Sequence, residues 1–447
     1  MNRLSSITPI DGRYYEDVRE LSRFFSEHAT HKYRVRVEVK YLIFLLKKLS
    51  IKFDEENIRK EFENFDLKDS EKILGFETET NHDIKAIEYF VKEKLPKELK
   101  EWVHFALTSD DIKNLAFTLQ IKEFVKEIFL PKLKLLLDGL EAFAKENKSI
   151  VMLSRTHGQI AVPTTLGKEI AVFYSRIKDQ VEELEKIKFY GKLNGAVGNY
   201  NAHVVAFPDI DWVEFSKDFV KSLSLEPCII TTQIIVYDHL AELFDLIARM
   251  NSVVLDLDRD LWLYIMLGYF KQKKQKGEVG SSTMPHKVNP IRLENSEANI
   301  GLANSLLKHF SSKLMVSRLQ RDLSDSSVTR NFGSAFAYSI IAYTNTLKGI
   351  ERLEANKEKI NKELEEHYEI LAEPMQTILR REKVSLPYEV LKEFTQGKII
   401  SKKDFQYFIE KIVGELKLSK EVKTELLKLD VFSYVGLAGK LIDEALK

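Results

Sequence analysis

The chain has 447 residues, of which 44% are hydrophobic and 30% are charged, a balance typical of a globular protein with a substantial core. Lysine plus arginine and aspartate plus glutamate number 68 each, so no net charge would attract nucleic acid or an acidic membrane surface. The length exceeds what one ordinary core accommodates, which predicts two or three domains.

Cys228 is the only cysteine in the sequence, which excludes an internal disulfide bond and a cysteine-based zinc site. We expect its side chain to be buried, in a cytoplasmic protein. The segment from Met1 to Ser6 lacks the apolar run of a signal peptide, and no stretch approaches the roughly 18 apolar residues of a membrane span. No membrane association is therefore expected.

Three polar segments precede the long helices of the N-terminal part. Asp11 to Tyr14 contains an arginine whose planar guanidinium offers paired donors that suit phosphate, although such an arginine is more often a surface residue. Thr78 to Asp83 comes before a predicted helix from Ile84, which Asn81 or Asp83 could cap. Thr108 to Asp111 resembles another helix start, where free N–H groups also bind carboxylate or phosphate.

Apolar residues recur at helical spacing after Pro131 and again after Pro163, which predicts two helices. Ser154 to Gln159 lies between them, just after a possible helix end. His157 in this segment is beside a glycine and is therefore accessible, and an imidazole suits proton transfer near neutral pH. A lone histidine is nevertheless more often structural.

Only 18 glycines and 10 prolines interrupt the chain, which favours long helices. The clearest one is predicted from Asp238 to Leu267, with an apolar stripe along about 45 Å and Gly268 as its stop. The segment before it, Gly191 to Asn201, matches neither nucleotide-binding glycine fingerprint and predicts a tight connection with close backbone packing.

Gly280 to Pro290 cannot form a continuous helix, because it contains two prolines and a glycine. Its hydroxyl, lysine and asparagine side chains supply a possible base and anion-binding donors, although a polar connection between helices is an equally good interpretation on composition alone. Helices are predicted at 291–310 and 334–353, with the arginine-rich segment Gln320 to Arg330 between them. Shorter helices, broken at Pro374 and Pro387, follow from Ala355.

Gly280 to Pro290 resembles the signature loop of the fumarase/aspartase superfamily, and Met284-Pro285-His286-Lys287 is similar to its form in the adenylosuccinate lyase branch. His286 discriminates between branches, since other branches usually have Gly, Ala or Gln there. Further family motifs follow in order along the chain: Asp11 to Tyr14, Thr80 to Asp83, Thr108-Ser109, Ser154 to Gln159, Gly195 to His203, Thr231 to Gln233 and Arg321 to Arg330.

The resemblance implies an all-α, three-domain fold with a long central helical bundle, predicted here as domains 1–107, 108–348 and 349–447. It also implies a homotetramer in which three subunits assemble each active site. The implied reaction is elimination of fumarate from adenylosuccinate, giving AMP, and from SAICAR, giving AICAR. No metal-ligand spacing occurs among the ten histidines, so no metal or other cofactor is expected.

By this resemblance His157 is the general acid, Ser281 the general base and Glu294 the carboxylate that orients the acid. Lys287 and Asn289 correspond to ligands of the succinyl carboxylates, and His82 to a further catalytic residue. The remaining implied substrate contacts are Arg13, Tyr14, Asn81, Asp83, Thr108, Ser109, Gln233, Asn295, Arg321, Ser326, Ser327, Val328, Thr329 and Arg330.

Two alternatives stay open at this point. One is another lyase of the superfamily, similar to argininosuccinate lyase, which needs no phosphate pocket. The other is a catalytically silent helical protein. The intact catalytic residues argue against it: Ser281, His157, Lys287 and Glu294. The segment Ile235 to Tyr237 and the residue Ile160 depart from the family pattern, and we expect them to affect only the pocket shape and the rigidity of the His157 loop.

Overall fold

The structure, a computed structural model, describes residues 3–273, 277, 283–284 and 286–447, and it is predominantly α-helical, as predicted. The α-helices are α1 (Tyr15–Val18), α2 (Ser22–Phe25), α3 (Glu27–Lys48), α4 (Glu55–Glu61), α5 (Leu67–Thr80), α6 (Asp83–Glu93), α7 (Ser109–Phe124), α8 (Leu130–Glu146), α9 (Leu166–Lys186), α10 (Asn201–Ala206), α11 (Trp212–Ser222), α12 (Asp238–Met266), α13 (Ile291–Leu314), α14 (Ser324–Thr329), α15 (Phe332–Ile350), α16 (Lys357–Glu365), α17 (Ala372–Arg381), α18 (Pro387–Thr395), α19 (Lys402–Glu415), α20 (Lys420–Leu427) and α21 (Ala438–Ala445).

Short 3-10 helices add to these at Arg3–Ser5, Arg19–Leu21, Lys97–Trp102 and Tyr368–Leu371. The strands are β1 (Val151–Thr156), β2 (Gln159–Thr165), β3 (Tyr190–Gly191), β4 (Glu226–Pro227), β5 (Phe270–Gln272) and β6 (Leu353–Ala355). They form three two-stranded sheets: β1 with β2 and β5 with β6 are antiparallel, and β3 with β4 is parallel.

Helix α12 confirms the longest predicted helix to within one residue. Its apolar stripe is buried, from Leu240 and Phe244 to Leu257 and Leu261. Gly268 follows the helix with a φ of +77°, a left-handed conformation that a glycine adopts without strain.

The helix predicted after Pro131 does not begin there. Helical structure continues from α7 through a π-helical turn, Val125–Phe129, into α8, which already includes Pro131. A proline removes one backbone N–H and its ring crowds the carbonyl four residues earlier, and a wider turn relieves that clash. The proline therefore marks an irregular turn inside a continuous helix.

The described chain divides into two compact units, and each long helix α8, α9, α12, α13 and α15 contributes residues to both. The first unit contains residues 1–134, 180–252 and 298–344, and the second contains 135–179, 253–297 and 345–447. The predicted boundaries at 107 and 348 stay a prediction.

The first unit has an aromatic core. Phe124 lies against Phe336 with ring centroids 4.7 Å apart, and Phe244 lies 5.0 Å from Phe332. An aliphatic cluster fills the space between α3 and α6, where Leu42, Leu46 and Ile87 have no exposed surface. These cores fix the helix ends at which the polar motifs lie.

Two further expectations can be compared with the structure. Cys228, expected to be buried, is only half-buried, because it follows the two-residue strand β4 next to the exposed Ile230. No helix in the described ranges combines the length and apolar character that a membrane crossing requires.

Candidate active site

Thr108 and Ser109 lie at the start of α7, in the first unit, and both are half-buried. The predicted helix start is confirmed: Thr108 is the N-cap residue, and its backbone N–H donates to Asp111 Oδ2 at 2.9 Å. The first turn of a helix has N–H groups without partners inside the helix, and these groups attract anions. The two hydroxyl groups therefore stand where a carboxylate would be stabilised.

A fully buried ion pair supports this helix start. Lys192 Nζ lies 2.9 Å from Asp111 Oδ1, and neither side chain has exposed surface. Asp111 Oδ1 also accepts from the backbone N–H of Asn194 at 3.1 Å, and its Oδ2 from that of Gly195 at 3.2 Å. The connection after β3 is thereby bonded to the Thr108 end of α7.

The close packing predicted for this connection is confirmed at Gly198. Its φ is +81°, and a Cβ atom there would lie 2.3 Å from the carbonyl oxygen of Thr231. Gln233 donates through Nε2 to the carbonyl of Ala196 at 3.0 Å, and its backbone N–H donates to the carbonyl of Gln320 at 3.3 Å. Gln233 thus joins the connection to the segment that precedes Arg321.

The loop before Thr108 contains two residues in the left-handed region, His104 with φ +58° and Ala106 with φ +60°. His104 Nδ1 lies 3.0 Å from Glu38 Oε2, and Tyr41 donates to the carbonyl of Phe105 at 2.8 Å. Burial lowers the pKa of His104, but the fully buried carboxylate of Glu38 outweighs this effect and raises it overall. The α3 side chains therefore hold the loop in a strained conformation.

Asn81, His82 and Asp83 connect α5 to α6, and here the predicted cap was wrong. The N-cap of α6 is His82, whose Nδ1 accepts from the backbone N–H of Lys85 at 3.1 Å. Asn81 instead ends α5 in the left-handed region, which its short polar side chain tolerates. Asp83 is already helical, and its carboxylate lies 3.1 Å from both Arg34 and Lys113.

Arg321 is engaged by carboxylates in the described structure. Its Nη1 donates to Asp110 Oδ1 at 3.2 Å, and its Nη2 lies 3.7 Å from Asp325 Oδ1. Burial raises the pKa of Asp110 to about 6, against the opposing charges of Lys192 and Arg321. Arg321 therefore neutralises a nearly buried acid next to Ser109, in addition to any ligand contact.

A cavity of about 260 Å³ in the first unit brings several predicted residues together. Its walls include the predicted Arg321, Ser326, Thr329 and Arg330. The same walls include Arg34 and Lys113, which the sequence did not single out. Four cationic side chains thus face one small space, together with the carboxylates of Glu27, Asp110 and Asp325.

Ser327 and Val328 lie on α14 beside this cavity but do not line it. Ser327 is exposed and Val328 is half-buried. Arg13, also exposed, and the half-buried Tyr14 belong to the turn before α1. A second cavity, of about 270 Å³, is lined by Asp11, Tyr15 and Arg330, so this turn lies near the end of α14.

His157 lies in the second unit, at the tip of the hairpin formed by β1 and β2, although its segment was predicted to follow directly after a helix end. Thr156 pairs with Gln159, which leaves His157 and Gly158 as a two-residue turn with φ values of +54° and +74°. Two successive positive φ values match the twist that a tight hairpin needs. The His157 imidazole is exposed at this tip.

The hairpin is anchored away from its tip. Arg155 donates to the hydroxyl of Tyr269 at 2.8 Å and forms an ion pair with Glu363. Ser154 donates to the carbonyl of Val162 across the two strands at 2.5 Å. The side chains of Ser154 and Arg155, both on β1 before the turn, therefore restrict the hairpin, while His157 is exposed at its tip.

Glu294 is exposed in the first turn of α13, where its Oε1 accepts from Trp262 Nε1 at 3.2 Å. No hydrogen bond joins Glu294 to His157 among the residues that the structure describes, so the predicted orienting contact is not formed within this chain. Asn295, the next residue, is half-buried on the same helix.

Lys287 and Asn289 lie in the last part of the signature loop. Lys287 is exposed, Asn289 is half-buried, and Gln272 fixes the segment between them by donating to the carbonyl of Val288 at 2.8 Å. Ser281, the predicted general base, lies outside the described residues.

Sequence reasoning did not single out Arg34, Lys113, Lys192 or Glu38. Arg34, Lys113 and Glu38 look like solvated charges on helices, and Lys192 looks like one charge in a glycine-rich connection. A signal existed for Glu38 and Lys192, because each is flanked by residues of apolar or glycine-rich segments where a charge requires a partner. Which residue pairs with each of these charges depends on a tertiary contact, which the sequence pattern does not give.

Comparison with known families agrees with this arrangement of helices and polar motifs. A family model described as "Lyase" matches residues 12–303, and one described as "Adenylosuccinate lyase C-terminal" matches residues 317–435. The all-α fold and its motif-bearing helix ends are thus those of a lyase.

Two curated relatives, both adenylosuccinate lyases, match nearly the full length. The protein from Escherichia coli (strain K12) is 45% identical, over 99% of each chain, and that from Dictyostelium discoideum is 47% identical, over 98% of this chain and 97% of its own. The chain belongs to the adenylosuccinate lyase family.

Solved structures agree in fold. A fumarate lyase from Mesorhizobium sp. BNC1 has a TM-score of 0.78 at 18% identity, covering 96% of this chain and 97% of its own. The 3-carboxy-cis,cis-muconate lactonizing enzyme from Pseudomonas putida has a TM-score of 0.76 at 17% identity, covering 97% and 98%. At such low identity these neighbours support the fold alone.

Proposed function

We propose that this chain is the enzyme that eliminates fumarate from adenylosuccinate, giving AMP, and from SAICAR, giving AICAR. The observation that supports this most strongly is the identity of 45% to an adenylosuccinate lyase over 99% of both chains. His286, the residue that distinguishes this branch, is intact, and so is Lys287 beside it.

His157 donates the proton in this proposal. The leaving nitrogen of a nucleotide departs readily only when it is protonated, and an imidazolium is a suitable acid near neutral pH. The exposed position of His157 at a hairpin tip supports this role, because the ring is available to a ligand. Glu294 orients His157 from another subunit, which agrees with the lack of a contact between them in the described part of one chain.

Ser281 accepts the proton from the carbon beside a succinyl carboxylate. Removing that proton places a second negative charge on the carboxylate, so fixed donors must stabilise it. Lys287, Asn289 and the hydroxyl groups at the start of α7 are donors of the required type. One well-placed donor contributes about 3 kcal/mol, so several are needed together.

The nucleotide phosphate binds in the first unit beside Arg321 and Arg330, the two arginines that flank α14. Arg321, Ser326 and Arg330 line one cavity, and arginine offers paired donors that fit phosphate oxygens. Arg13 and Tyr14 complete the site, because their neighbours Asp11 and Tyr15 line a cavity together with Arg330. Ser327, Val328 and Thr329 are flanking contacts.

The active site is assembled from several subunits of a homotetramer. Apolar side chains are exposed on the long helices of the described chain, which favours burial against further copies. They include Leu135, Val172, Leu263, Met266 and Leu302. The cytoplasmic location expected from the single cysteine belongs to the same proposal, as does a small-molecule substrate rather than nucleic acid or membrane.

Fumarate release from adenylosuccinate tests the proposal directly. The purified chain should convert adenylosuccinate and SAICAR, while argininosuccinate, malate and aspartate should give no product under the same conditions. Release from argininosuccinate alone would replace the proposal with the related lyase, and no release from any substrate would indicate a silent member of the family.

A further inference from the structure

Asp83 links three helices of the first unit through a single carboxylate oxygen. Arg34 Nη1, on α3, and Lys113 Nζ, on α7, each lie 3.1 Å from Asp83 Oδ2. The other oxygen, Oδ1, accepts the backbone N–H of Ile84 at 2.9 Å, inside α6. Both oxygens of Asp83 are thus occupied by groups of the protein.

The three charged side chains are shielded from solvent. The exposed fractions are 15% for Asp83, 11% for Arg34 and 18% for Lys113. Arg34 Nη1 makes no aligned hydrogen bond in the described part of the chain, so its attraction to Asp83 is that of charge. Burial raises the pKa of Asp83, but the two cations outweigh burial and lower it, which keeps the carboxylate ionised. Dissolved salt screens the attraction within such partly buried ion pairs less than it screens surface pairs.

The position of the cluster suggests its role. Asp83 follows the α6 N-cap residue His82, and Lys113 lies little more than one helical turn after Thr108, the N-cap residue of α7. Helices α6 and α7 both pack extensively on α3 but touch each other much less. The pair Lys113–Asp83 therefore fixes the spacing between the two helix starts that present His82 and Thr108.

We infer that Arg34 and Lys113 are positioning residues of the lyase reaction, which act through Asp83 to hold the His82 and Thr108 helix ends at the distance that the substrate requires. Asp83 itself belongs to this ion-pair cluster and does not contact the substrate through its carboxylate. The inference rests on the proposed function, because the distance matters only for a ligand that both helix ends bind.

A second carboxylate on α6 provides a matched control. Glu88 lies 2.8 Å from Lys85 and 3.0 Å from Lys92, so it too pairs with two cations and is nearly buried. All three residues of this control cluster belong to α6, so the two pairs that Glu88 forms join no second helix, although Lys92 also lies 3.5 Å from Glu101 on the next 3-10 helix. Glu88→Gln therefore removes a similar charge without changing the spacing of helix ends.

The experiment compares Lys113→Met, Arg34→Met and Asp83→Asn with Glu88→Gln in the full-length chain, with adenylosuccinate as substrate. We expect the first three variants to lose about tenfold to a hundredfold in kcat/KM, since a displacement near 1 Å costs about that much. Glu88→Gln should keep the wild-type kcat/KM, while its melting temperature should change about as much as those of the other three variants. The double variant Asp83→Asn with Lys113→Met should be no worse than the poorer single variant, because the two residues act as one unit.

Conservative variants separate positioning from folding. Lys113→Arg and Arg34→Lys keep the charges and should restore kcat/KM to near the wild-type value, even where the Met variants fold poorly. Normal activity of both Lys113→Met and Arg34→Met beside an impaired Asp83→Asn would overturn the inference, because Asp83 would then contact the substrate directly. A wild-type chain that releases no fumarate would instead contradict the proposed function.

Discussion

Lys192 and Asp111 form an ion pair 2.9 Å long in which neither side chain has any exposed surface. Desolvation of two charges is costly, and it is compensated only while both partners and their hydrogen bonds are present. Here Lys192 also donates to the carbonyl of Gly195 at 3.2 Å, and Asp111 accepts three backbone N–H groups. The pair therefore holds the glycine-rich connection in one position beside α7.

Removal of one partner should be strongly destabilising. We expect Lys192→Met to lower the free energy of unfolding by about 3–5 kcal/mol, because Asp111 is left as an uncompensated buried charge. Urea denaturation measures this loss. As a control, removal of the exposed Arg381, which pairs with Glu425, should change the free energy of unfolding far less, because water already screens that pair. Equal losses at the two sites would contradict the account.

Replacement of His157 by Asn should abolish catalysis without harming the fold. Asparagine tolerates the left-handed conformation that the hairpin turn imposes at φ +54°. We expect turnover of adenylosuccinate to fall by about a hundredfold to ten-thousandfold, the range for loss of a general acid. The melting temperature should not change. Near-normal turnover would show that His157 is not the acid.

Mixing inactive chains should restore activity if subunits share active sites. Ser281→Ala and His157→Ala chains, mixed in equal amounts and allowed to exchange subunits, should regain activity in about a quarter of the sites by random pairing. Sedimentation of each variant, which should show a tetramer, is the accompanying control. If the mixture stays inactive although the subunits exchange, both residues must come from one chain.

A side chain at Gly198 should disturb the connection next to Gln233. Gly198→Ala places a Cβ atom 2.3 Å from the carbonyl oxygen of Thr231 at a φ of +81°, and this strain should cost about 1–3 kcal/mol. The KM for adenylosuccinate should rise, since Gln233 bonds to this connection. By contrast, Gly75→Ala in α5 meets no atom within 4 Å and should stabilise the chain by about 0.5–1 kcal/mol. Thermal melts and initial rates measure both effects.

Asp258 should make stability depend on pH. Burial raises its pKa from an ordinary 3.8 to about 8, although Ser296 and Thr346 donate hydrogen bonds that oppose the rise. The folded state therefore holds a proton that the unfolded state releases, and stability is lost as pH rises from about 4 through 8. Asp258→Asn should flatten this dependence in melts across that range, whereas the exposed Asp256→Asn should not.

The sequence predicted the regular parts of the fold well, because they depend on local periodicity. The uninterrupted apolar spacing located α12 to within one residue, and Thr108 was placed at a helix start because it is a hydroxyl residue before two acids. These features need no knowledge of distant contacts.

The hairpin at His157 could not be derived in the same way. Its strands have six and seven residues and are only partly buried, so they lack a clear alternation of apolar and polar residues. The His-Gly pair was the available signal, since a glycine with a second residue able to adopt a positive φ favours a two-residue turn. The partners of Arg34, Lys113 and Lys192 depend on packing between helices, which no local pattern encodes.

The π-helical turn at Val125–Phe129 has a consequence for chain length. A π turn contains one residue more than an α turn, so the loss of one residue there would leave the following helix in register. A deletion elsewhere between 109 and 146 would rotate the following helix by about 100°. Such a rotation would move Leu133 and Leu136 from the core towards water. A relative one residue shorter should therefore have its gap at this turn, together with a residue other than proline at the position of Pro131.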